Sequence, residues 1–229
     1  MKPLILFDFD GTLADTAPDL AAAANQQRLR RGQSPLPYEQ LRPIASQGAR
    51  GLLRVALGMT PESAGYEEAK QQFLDDYAAN IAVHTELFPG MGQLLAELVD
   101  NGWSWGIVTN KATRFTTPLV RHLALGQHST VVVCGDTTPY SKPHPEPLLH
   151  AARLAGVEPA RCLYVGDDQR DIVAGKAAGM KTIATAYGYC GDGAPVESWG
   201  ADAIVASVQE LLPAIRRLIP SADAMRTHA

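Results

Sequence analysis

The sequence lacks the features that mark several common classes of protein. No stretch approaches the ~20 consecutive apolar residues that a membrane-spanning helix needs, and the apolar run at Leu4 is too short for a signal peptide. The net charge of −4 provides no basic field for nucleic acid. Internal repeats and low-complexity segments are absent as well. We therefore expect a cytoplasmic enzyme with no membrane or nucleic-acid partner.

Cysteine is also scarce. The sequence has three cysteines, Cys134, Cys162 and Cys190, an odd number without a CxxC pair. This pattern indicates a reducing compartment and argues against a zinc site. We interpret all three as small core residues. The chain has 229 residues, of which 46% are hydrophobic, enough for one large domain or for a core with a modest insert.

A short apolar strand that ends in two aspartates stands out near the N-terminus. Residues 4–7 are apolar and run into Asp8, with Asp10 two positions later, followed by Gly11 and Thr12. Such a run is typical of a buried strand, and side chains two residues apart in a strand point to the same side. Two ionised carboxylates side by side need a cation or a shared proton. Mg²⁺, which prefers carboxylate and carbonyl oxygens, is the natural partner.

Residues 15–86 contain no convincing strand and indicate a block of helices. Thr16 begins the first of them, with a capping hydroxyl, an early proline and an acid in the first turn. We predict that this helix ends near Gly32 and that three more follow at 38–46, 50–58 and 61–83. A helical block inserted after the first strand indicates a cap domain over residues 15–86, with a core formed by residues 1–14 and 87–229.

From residue 91 onward, predicted helices and strands alternate, the signature of a parallel sheet covered on both faces. The predicted strands are 105–109, 131–134, 162–165, 182–186 and 203–205, and the predicted helices are 91–101, 115–125, 146–155 and 170–178. Residues after Pro220 are expected to fray. The predicted fold is therefore an α/β, doubly wound parallel sheet with a helical cap. In such sheets ligands bind beyond the carboxyl ends of the strands.

Polar side chains follow several of these strands. Thr109 and Asn110 offer a hydroxyl and a turn with free N–H groups, which suit a phosphate oxygen. Prolines at three of the five positions after Lys142 fix the backbone and would hold that lysine as a point charge. Asp167, Asp168 and Asp171 crowd three carboxylates into five residues, which would repel strongly without a cation.

These segments, in this order, resemble the four motifs of the haloacid dehalogenase superfamily, specifically its phosphatase branch. The resemblance implies a Rossmann-like core in which Asp8 is the nucleophile and Asp10 the general acid/base, with Thr109 and Lys142 completing the catalytic set. It implies Mg²⁺ held by Asp8, the Asp10 carbonyl and Asp167, with Asp171 reaching the metal through water. Asp168 stands where the family often has Ser or Thr. Phosphate contacts are expected from Gly11, Thr12, Thr109, Asn110 and Lys142.

Other classes of function fit less well. The dehalogenase branch, which attacks carbon, lacks an acid at the position of Asp10. A phospho-receiver domain also phosphorylates an aspartate but is about half this length, with its acceptor on the third strand. A metal-dependent binding module would not need Asp10. A phosphomutase uses the same four motifs, and only an assay for released phosphate against isomerised product separates it.

The cap bears on the substrate. A helical cap of this size leaves a small closed site, so we expect the substrate to be a small phosphorylated metabolite. We expect the protein to be a monomer or a homodimer. Arg50, between two cap helices and next to glycines, is the residue predicted to bind an anion. The overall pattern resembles bacterial phosphoglycolate phosphatases, and segments such as SQGARGLL and WGIVTNKATRF resemble the related N-acetylmuramic acid 6-phosphate phosphatases. Both substrates are carboxylated phosphates, and phosphoglycolate is the first prediction.

Overall fold

Six parallel strands form the central sheet of the structure, a computed structural model that describes residues 2–219. The strands are β1 (Leu4–Phe7), β4 (Ser104–Val108), β5 (Val132–Val133), β6 (Cys162–Gly166), β7 (Lys181–Thr185) and β8 (Ala203–Val205). Their order across the sheet is β5-β4-β1-β6-β7-β8. β1 is therefore central, between β4 and β6, and all four of its residues are fully buried. The predicted fold class is confirmed.

Helices cover both faces of this sheet. α5 (Met91–Asp100), α6 (Thr113–His122) and α9 (Leu211–Leu218) pack on one face, and α7 (Glu146–Ala155) and α8 (Gln169–Ala177) pack on the other. The alternation of side chains along β1 serves both layers, because Ile5 and Phe7 join the first apolar cluster while Leu4 and Leu6 join the second. Helix α9 was not predicted from the sequence.

The helical block lies between β1 and α5. It contains α1 (Ala17–Leu29), α2 (Tyr38–Leu41), α3 (Gly48–Leu57) and α4 (Tyr66–Ala79), which share an apolar cluster of their own. Phe115 and Tyr189, which follow core strands, insert into that cluster and so join the two parts of the molecule. We keep the name cap for residues 15–86, whose exact boundaries stay a prediction.

A two-stranded antiparallel ribbon, absent from the prediction, connects the cap to the core. β2 (Ala14–Asp15) pairs with β3 (Glu86–Leu87), at the points where the chain leaves and re-enters the core. The buried carboxylate of Asp19 reinforces this junction by accepting hydrogen bonds from the backbone N–H groups of His84 and Thr85 and from the Thr85 hydroxyl, at 2.8–3.1 Å.

Several predicted element ends differ from those observed. The predicted helix 38–46 is the short α2 followed by a 3₁₀ turn at Arg42–Gln47, in which Pro43 occupies an early position. The predicted helix 61–83 is shorter, because Gly65 at its N-cap has a φ of +77°. Thr16 precedes α1 as predicted, but its side chain makes no capping hydrogen bond; its hydroxyl is bonded to Asp10 instead. The predicted tail after Pro220 lies outside the described residues.

Two further expectations concern composition. Cys134 and Cys162 are buried, as core residues would be, and Cys190 is half-buried. Between residues 2 and 219, none of the helices has the length and apolarity needed to cross a bilayer.

Candidate active site

The carboxyl ends of three neighbouring strands converge on one site. Asp8, Thr109 and Asp167 each follow directly on the last residue of β1, β4 and β6, which are adjacent in the sheet. The backbone N–H of Asp8 donates to the carbonyl of Val165 at 2.8 Å, which fixes the end of β1 against β6. A cavity of about 390 Å³ opens here, between the sheet and the cap. Of the predicted site residues it is lined by Asp8, Asp10, Thr109, Asn110 and Lys142.

Three buried carboxylates form the centre of the site. Asp8, Asp167 and Asp171 each place one oxygen within 4.8 Å of the others. Burial, partly opposed by Lys142 and reinforced by Asp171, raises the pKa of Asp8 to about 7. Burial and the neighbouring Asp8 and Asp171 also raise the pKa of Asp167 well above its usual range. A cluster of this kind favours an added positive charge.

Glycine permits this close approach. Gly11 has a φ of +80°, and a Cβ built on it would lie 2.2 Å from Oδ2 of Asp167. A Cβ built on Gly188 would lie 2.2 Å from the Cβ of Asp167. Any residue with a side chain at position 11 or 188 would therefore clash with Asp167 in its present position.

Lys142 lies between two of the carboxylates. Its Nζ is 2.8 Å from Oδ1 of Asp8 and 2.8 Å from Oδ1 of Asp171, and it donates to the Tyr164 hydroxyl at 2.8 Å. Burial lowers the pKa of Lys142, but the two carboxylates more than offset this and the net shift is upward. The lysine therefore remains a buried cation beside Asp8.

One oxygen of Asp8 is left available by these contacts. Oδ1 accepts hydrogen bonds from the Phe9 backbone N–H at 2.8 Å and from Lys142. No donor within residues 2–219 is bonded to Oδ2. A lone-pair-bearing oxygen in a cavity, next to a fixed cation, is what a carboxylate nucleophile requires.

Thr109 and Asn110 have different surroundings. The hydroxyl oxygen of Thr109 accepts a hydrogen bond from the Lys111 backbone N–H at 3.1 Å, which leaves its proton available to a ligand. The side-chain amide of Asn110 is paired at 2.9 Å, in both directions, with the main chain of Lys142. Its side chain therefore positions the lysine, and the predicted phosphate contact of Asn110 stays a prediction.

Asp10 is held by two cap-facing contacts. Its Oδ1 accepts from the Thr16 hydroxyl at 2.5 Å and from Nζ of Lys111 at 2.6 Å. Lys111 is almost fully buried, and its Nζ also lies 4.8 Å from the centre of the Tyr77 ring on α4. Asp10 therefore lies at the boundary between core and cap, on the same cavity as Asp8.

Asp168 and Arg170 connect the site to the cap. Asp168 caps helix α8 and accepts two side-chain hydrogen bonds from Arg170, both at 2.8 Å. Arg170 in turn donates to the carbonyl of Ser46 at 2.9 Å, and the Ser46 hydroxyl lies 3.2 Å from Oδ2 of Asp167. A single cap residue thus contacts both the acidic cluster and its neighbouring ion pair.

Four predicted residues, Gly11, Thr12, Asp167 and Arg50, do not line this cavity. Gly11 donates its N–H to the carbonyl of Ala14, and the fully buried Thr12 donates its hydroxyl to Asp167 at 3.0 Å, so both support the acidic cluster from behind. Arg50 is exposed and lines a neighbouring cavity of about 560 Å³, not the cavity of Asp8. The structure does not bring Arg50 together with the other predicted residues.

Sequence reasoning also missed several residues of the site. Lys111 directly follows Thr109 and Asn110, so its position offered a signal. Tyr164 lies in the apolar run of the buried strand β6, so the sequence gave little reason to expect a polar role for its hydroxyl. Ser46, Tyr77 and Arg170 are brought here by the packing of the cap on the core, which no local pattern reveals.

Comparisons with known proteins agree with this geometry. A profile of the family described as haloacid dehalogenase-like hydrolase matches residues 5–185. The chain is 41% identical to an N-acetylmuramic acid 6-phosphate phosphatase from Pseudomonas putida over 218 residues, which cover 95% of this chain and 96% of that protein. It is 42% identical to a phosphoglycolate phosphatase from Xanthomonas campestris pv. campestris over 208 residues, covering 90% and 93%.

A solved structure shares the whole architecture. The crystal structure of a predicted phosphoglycolate phosphatase from Haemophilus somnus superposes with a TM-score of 0.82 at 27% sequence identity, covering 93% of this chain and 97% of that one. With sequence, fold and converging strand ends in agreement, the chain belongs to the haloacid dehalogenase-like hydrolase family and is one of its phosphoric monoester hydrolases.

Proposed function

We propose that this phosphatase hydrolyses a small carboxylated phosphate monoester through an aspartyl-phosphate on Asp8, with Mg²⁺ as its cofactor. The observation that carries the proposal is the arrangement of Asp8, with one oxygen free, beside the buried cation of Lys142 and within 4.8 Å of two further carboxylates. That arrangement supports attack on phosphorus and gives the phosphoryl oxygens a fixed positive charge to bind.

In the first step, Oδ2 of Asp8 forms a bond to phosphorus while the bond to the leaving oxygen breaks. Lys142 is held rigidly by Asn110, Tyr164 and Asp171, so its charge is already oriented toward the transferring group. The proton of the Thr109 hydroxyl is available to a phosphoryl oxygen. These contacts are supplied by strand ends and change little as the reaction proceeds.

Asp10 is proposed to handle the proton. It protonates the leaving alkoxide in the first step and takes a proton from the water that cleaves the aspartyl-phosphate in the second. Its contacts with Lys111 and Thr16 hold the carboxylate on the cavity wall next to Asp8. Because Lys111 is itself positioned by the Tyr77 ring, closure of the cap and placement of the general acid are linked.

The acidic cluster fits a magnesium ion. Asp8 and Asp167, together with the carbonyl of Asp10, would hold the metal, and Asp171 would contact it through water. That carbonyl accepts no backbone hydrogen bond within residues 2–219, so it is available as a ligand. When bound, the ion would offset the negative charge of the carboxylates and of the phosphoryl oxygens.

Phosphoglycolate is the first candidate substrate, in line with the relative from Xanthomonas campestris. One observation favours the second candidate, N-acetylmuramic acid 6-phosphate. Ligand cavities usually measure about 300–1,000 Å³, and the 390 Å³ found here exceeds what a two-carbon ester needs. The relative from Pseudomonas putida acts, by its name, on that larger substrate.

The test is a phosphate-release panel. Wild-type enzyme is assayed with Mg²⁺ on phosphoglycolate and ethyl phosphate, and on N-acetylmuramic acid 6-phosphate and N-acetylglucosamine 6-phosphate. The first pair differs by the carboxylate, and the second by the lactyl ether that carries the carboxylate. We expect kcat/KM to be higher for the carboxylated member of at least one pair. Equal values within both pairs would contradict the proposed substrate class.

A further inference from the structure

One residue that lines the cavity of Asp8 has a buried hydroxyl without a partner. Tyr77, on cap helix α4, is 2% exposed, and its hydroxyl forms no hydrogen bond within residues 2–219. Three other buried polar groups of the described chain share that condition, on Trp103, Trp105 and Thr185, but none of those residues lines this cavity. Buried polar groups are almost always hydrogen-bonded, so one left open in a cavity points to a ligand.

The Tyr77 ring is firmly held, which aims its hydroxyl. It packs against Phe115 at a centroid distance of 5.5 Å, and the Nζ of Lys111 lies 4.8 Å from its centre. Burial, against the opposing charge of Lys111, raises the pKa of Tyr77 to about 12. The hydroxyl therefore keeps its proton at neutral pH and can donate it in a hydrogen bond to a ligand.

The same cavity is also lined by a cation, Arg114. Its guanidinium, in the first turn of α6, is 4.5 Å from the centre of the Phe115 ring, against which the Tyr77 ring also packs. Other cations of the cavity are compensated: Lys111 by Asp10, Lys142 by Asp8 and Asp171, and Arg170 by Asp168. Arg114, in contrast, forms no ion pair with any carboxylate of residues 2–219.

We propose that Tyr77 and Arg114 form the subsite for the carboxylate of the leaving group, with the Tyr77 hydroxyl donating a hydrogen bond and the Arg114 guanidinium providing the charge. This inference rests on the proposed function, since it assigns the carboxylate of that substrate class to named residues. It transfers the recognition role from Arg50, on the neighbouring cavity, to one cap and one core residue on the cavity of Asp8.

The decisive variant is Tyr77→Phe, which removes the hydroxyl and keeps the ring. We measure the selectivity ratio, the kcat/KM for the carboxylated substrate divided by that for its partner in the pair that wild type discriminates best. A hydrogen bond to a charged group is removed, so the ratio should fall by about tenfold or more. Arg114→Gln should lower it at least as much. The double variant should lose less than the product of the two factors, because both residues act on one group.

Tyr66→Phe is the matched control. Tyr66 is also buried and lies on the same helix, and its replacement removes the same hydroxyl group. Because Tyr66 does not line the cavity, the selectivity ratio of Tyr66→Phe should stay at the wild-type value. The melting temperature of Tyr77→Phe should not fall, because the hydroxyl has no protein partner to lose. A melting temperature that falls with an unchanged ratio would mean a structural role and overturn the inference.

Failure of the inference is distinct from failure of the proposed function. If wild type prefers the carboxylated substrates and Tyr77→Phe and Arg114→Gln keep that preference, the subsite assignment is wrong while the substrate class stands. If wild type itself shows no preference in either pair, the substrate class fails, and the carboxylate subsite fails with it.

Discussion

The core and the cap contribute to the same cavity in opposite ways. The core supplies dense charge: Asp8, Asp10, Lys142 and Asp171 are all engaged with oppositely charged neighbours at 2.6–2.8 Å. The cap lines the cavity mainly with apolar or neutral side chains: Leu20, Ala45, Ser46, Gln47, Ala49, Phe73, Leu74 and Tyr77. The difference supports the proposal that residues at the strand ends carry the chemistry, while the cap shapes the space around the leaving group.

Replacing Asp8, the proposed nucleophile, tests the contribution of the core most severely. Asp8→Asn should lower kcat by at least about four orders of magnitude on every substrate, because a carboxamide cannot form the aspartyl-phosphate. The fold should be retained, since the change removes one charge from a repelling cluster. Circular dichroism checks the fold and phosphate release the rate. Residual activity within tenfold of wild type would show that Asp8 is not the covalent residue.

Removing the metal should affect all substrates almost as strongly. Treatment with EDTA should reduce turnover at least about 100-fold, since a bound cation contributes several kcal/mol to charge stabilisation. Mg²⁺ should restore the rate, whereas Ca²⁺, with its looser shell of 6–8 oxygens, should inhibit. Full turnover after exhaustive chelation, checked by metal analysis, would remove the magnesium assignment.

The acidic cluster should also appear in stability measurements. Asp8 has a pKa of about 7 in place of 3.8, because burial favours its neutral form. Its contribution to the free energy of unfolding is therefore fully present below about pH 4 and is lost as pH rises through 7. In EDTA, the melting temperature should fall by a few degrees between pH 6 and pH 8, and Mg²⁺ should raise it more at pH 8.

Asp8→Asn is the control for that prediction, because an amide does not titrate. Its melting temperature should change less over the same interval. Identical pH profiles for wild type and Asp8→Asn would show that other groups dominate the stability change.

Arg50→Ala should have the smallest effect on kcat/KM of these variants. It tests the contribution of the cap to substrate recognition. If Arg50 bound the substrate carboxylate, as predicted from the sequence, its loss would cost about 10- to 150-fold on a carboxylated substrate, the value of a hydrogen bond to a charged group. With Arg50 on the neighbouring cavity, we expect less than about threefold in kcat/KM, equally on both members of a substrate pair. A large loss confined to carboxylated substrates would restore Arg50 as the recognition residue.

The core of the site could be predicted because its information is local. Asp8, Thr109 and Asp167 each follow an apolar strand, and parallel strands of one sheet end at the same edge. The restricted backbone around Lys142 was visible in its prolines. Asn110 shows the limit of such reasoning: its amide is committed to the main chain of Lys142, a pairing across 32 positions that no single segment encodes.

The contribution of the cap could not be predicted in the same way. Leu52, Leu53 and Ala56 face the interior of the cap, which leaves Arg50 on the outer face of α3 together with Arg54, four residues later. Arg54 pairs with Asp192 of the core, so this face contacts a different loop. Which helix face meets the catalytic cavity depends on how two separately packed clusters dock, and that depends on contacts distributed along the whole chain.

The ribbon of β2 and β3 gives the molecule a modular topology. Paired strands lie about 5 Å apart, so the chain leaves and re-enters the core at almost one point. The cap residues between β2 and β3 are therefore connected to the core in the same way as the loop of a β-hairpin. Its length and sequence can change in evolution without shifting β1 against the helix that follows the insert. One phosphoryl-transfer centre can therefore serve a lineage of enzymes whose substrate ranges diverge through exchange of this loop.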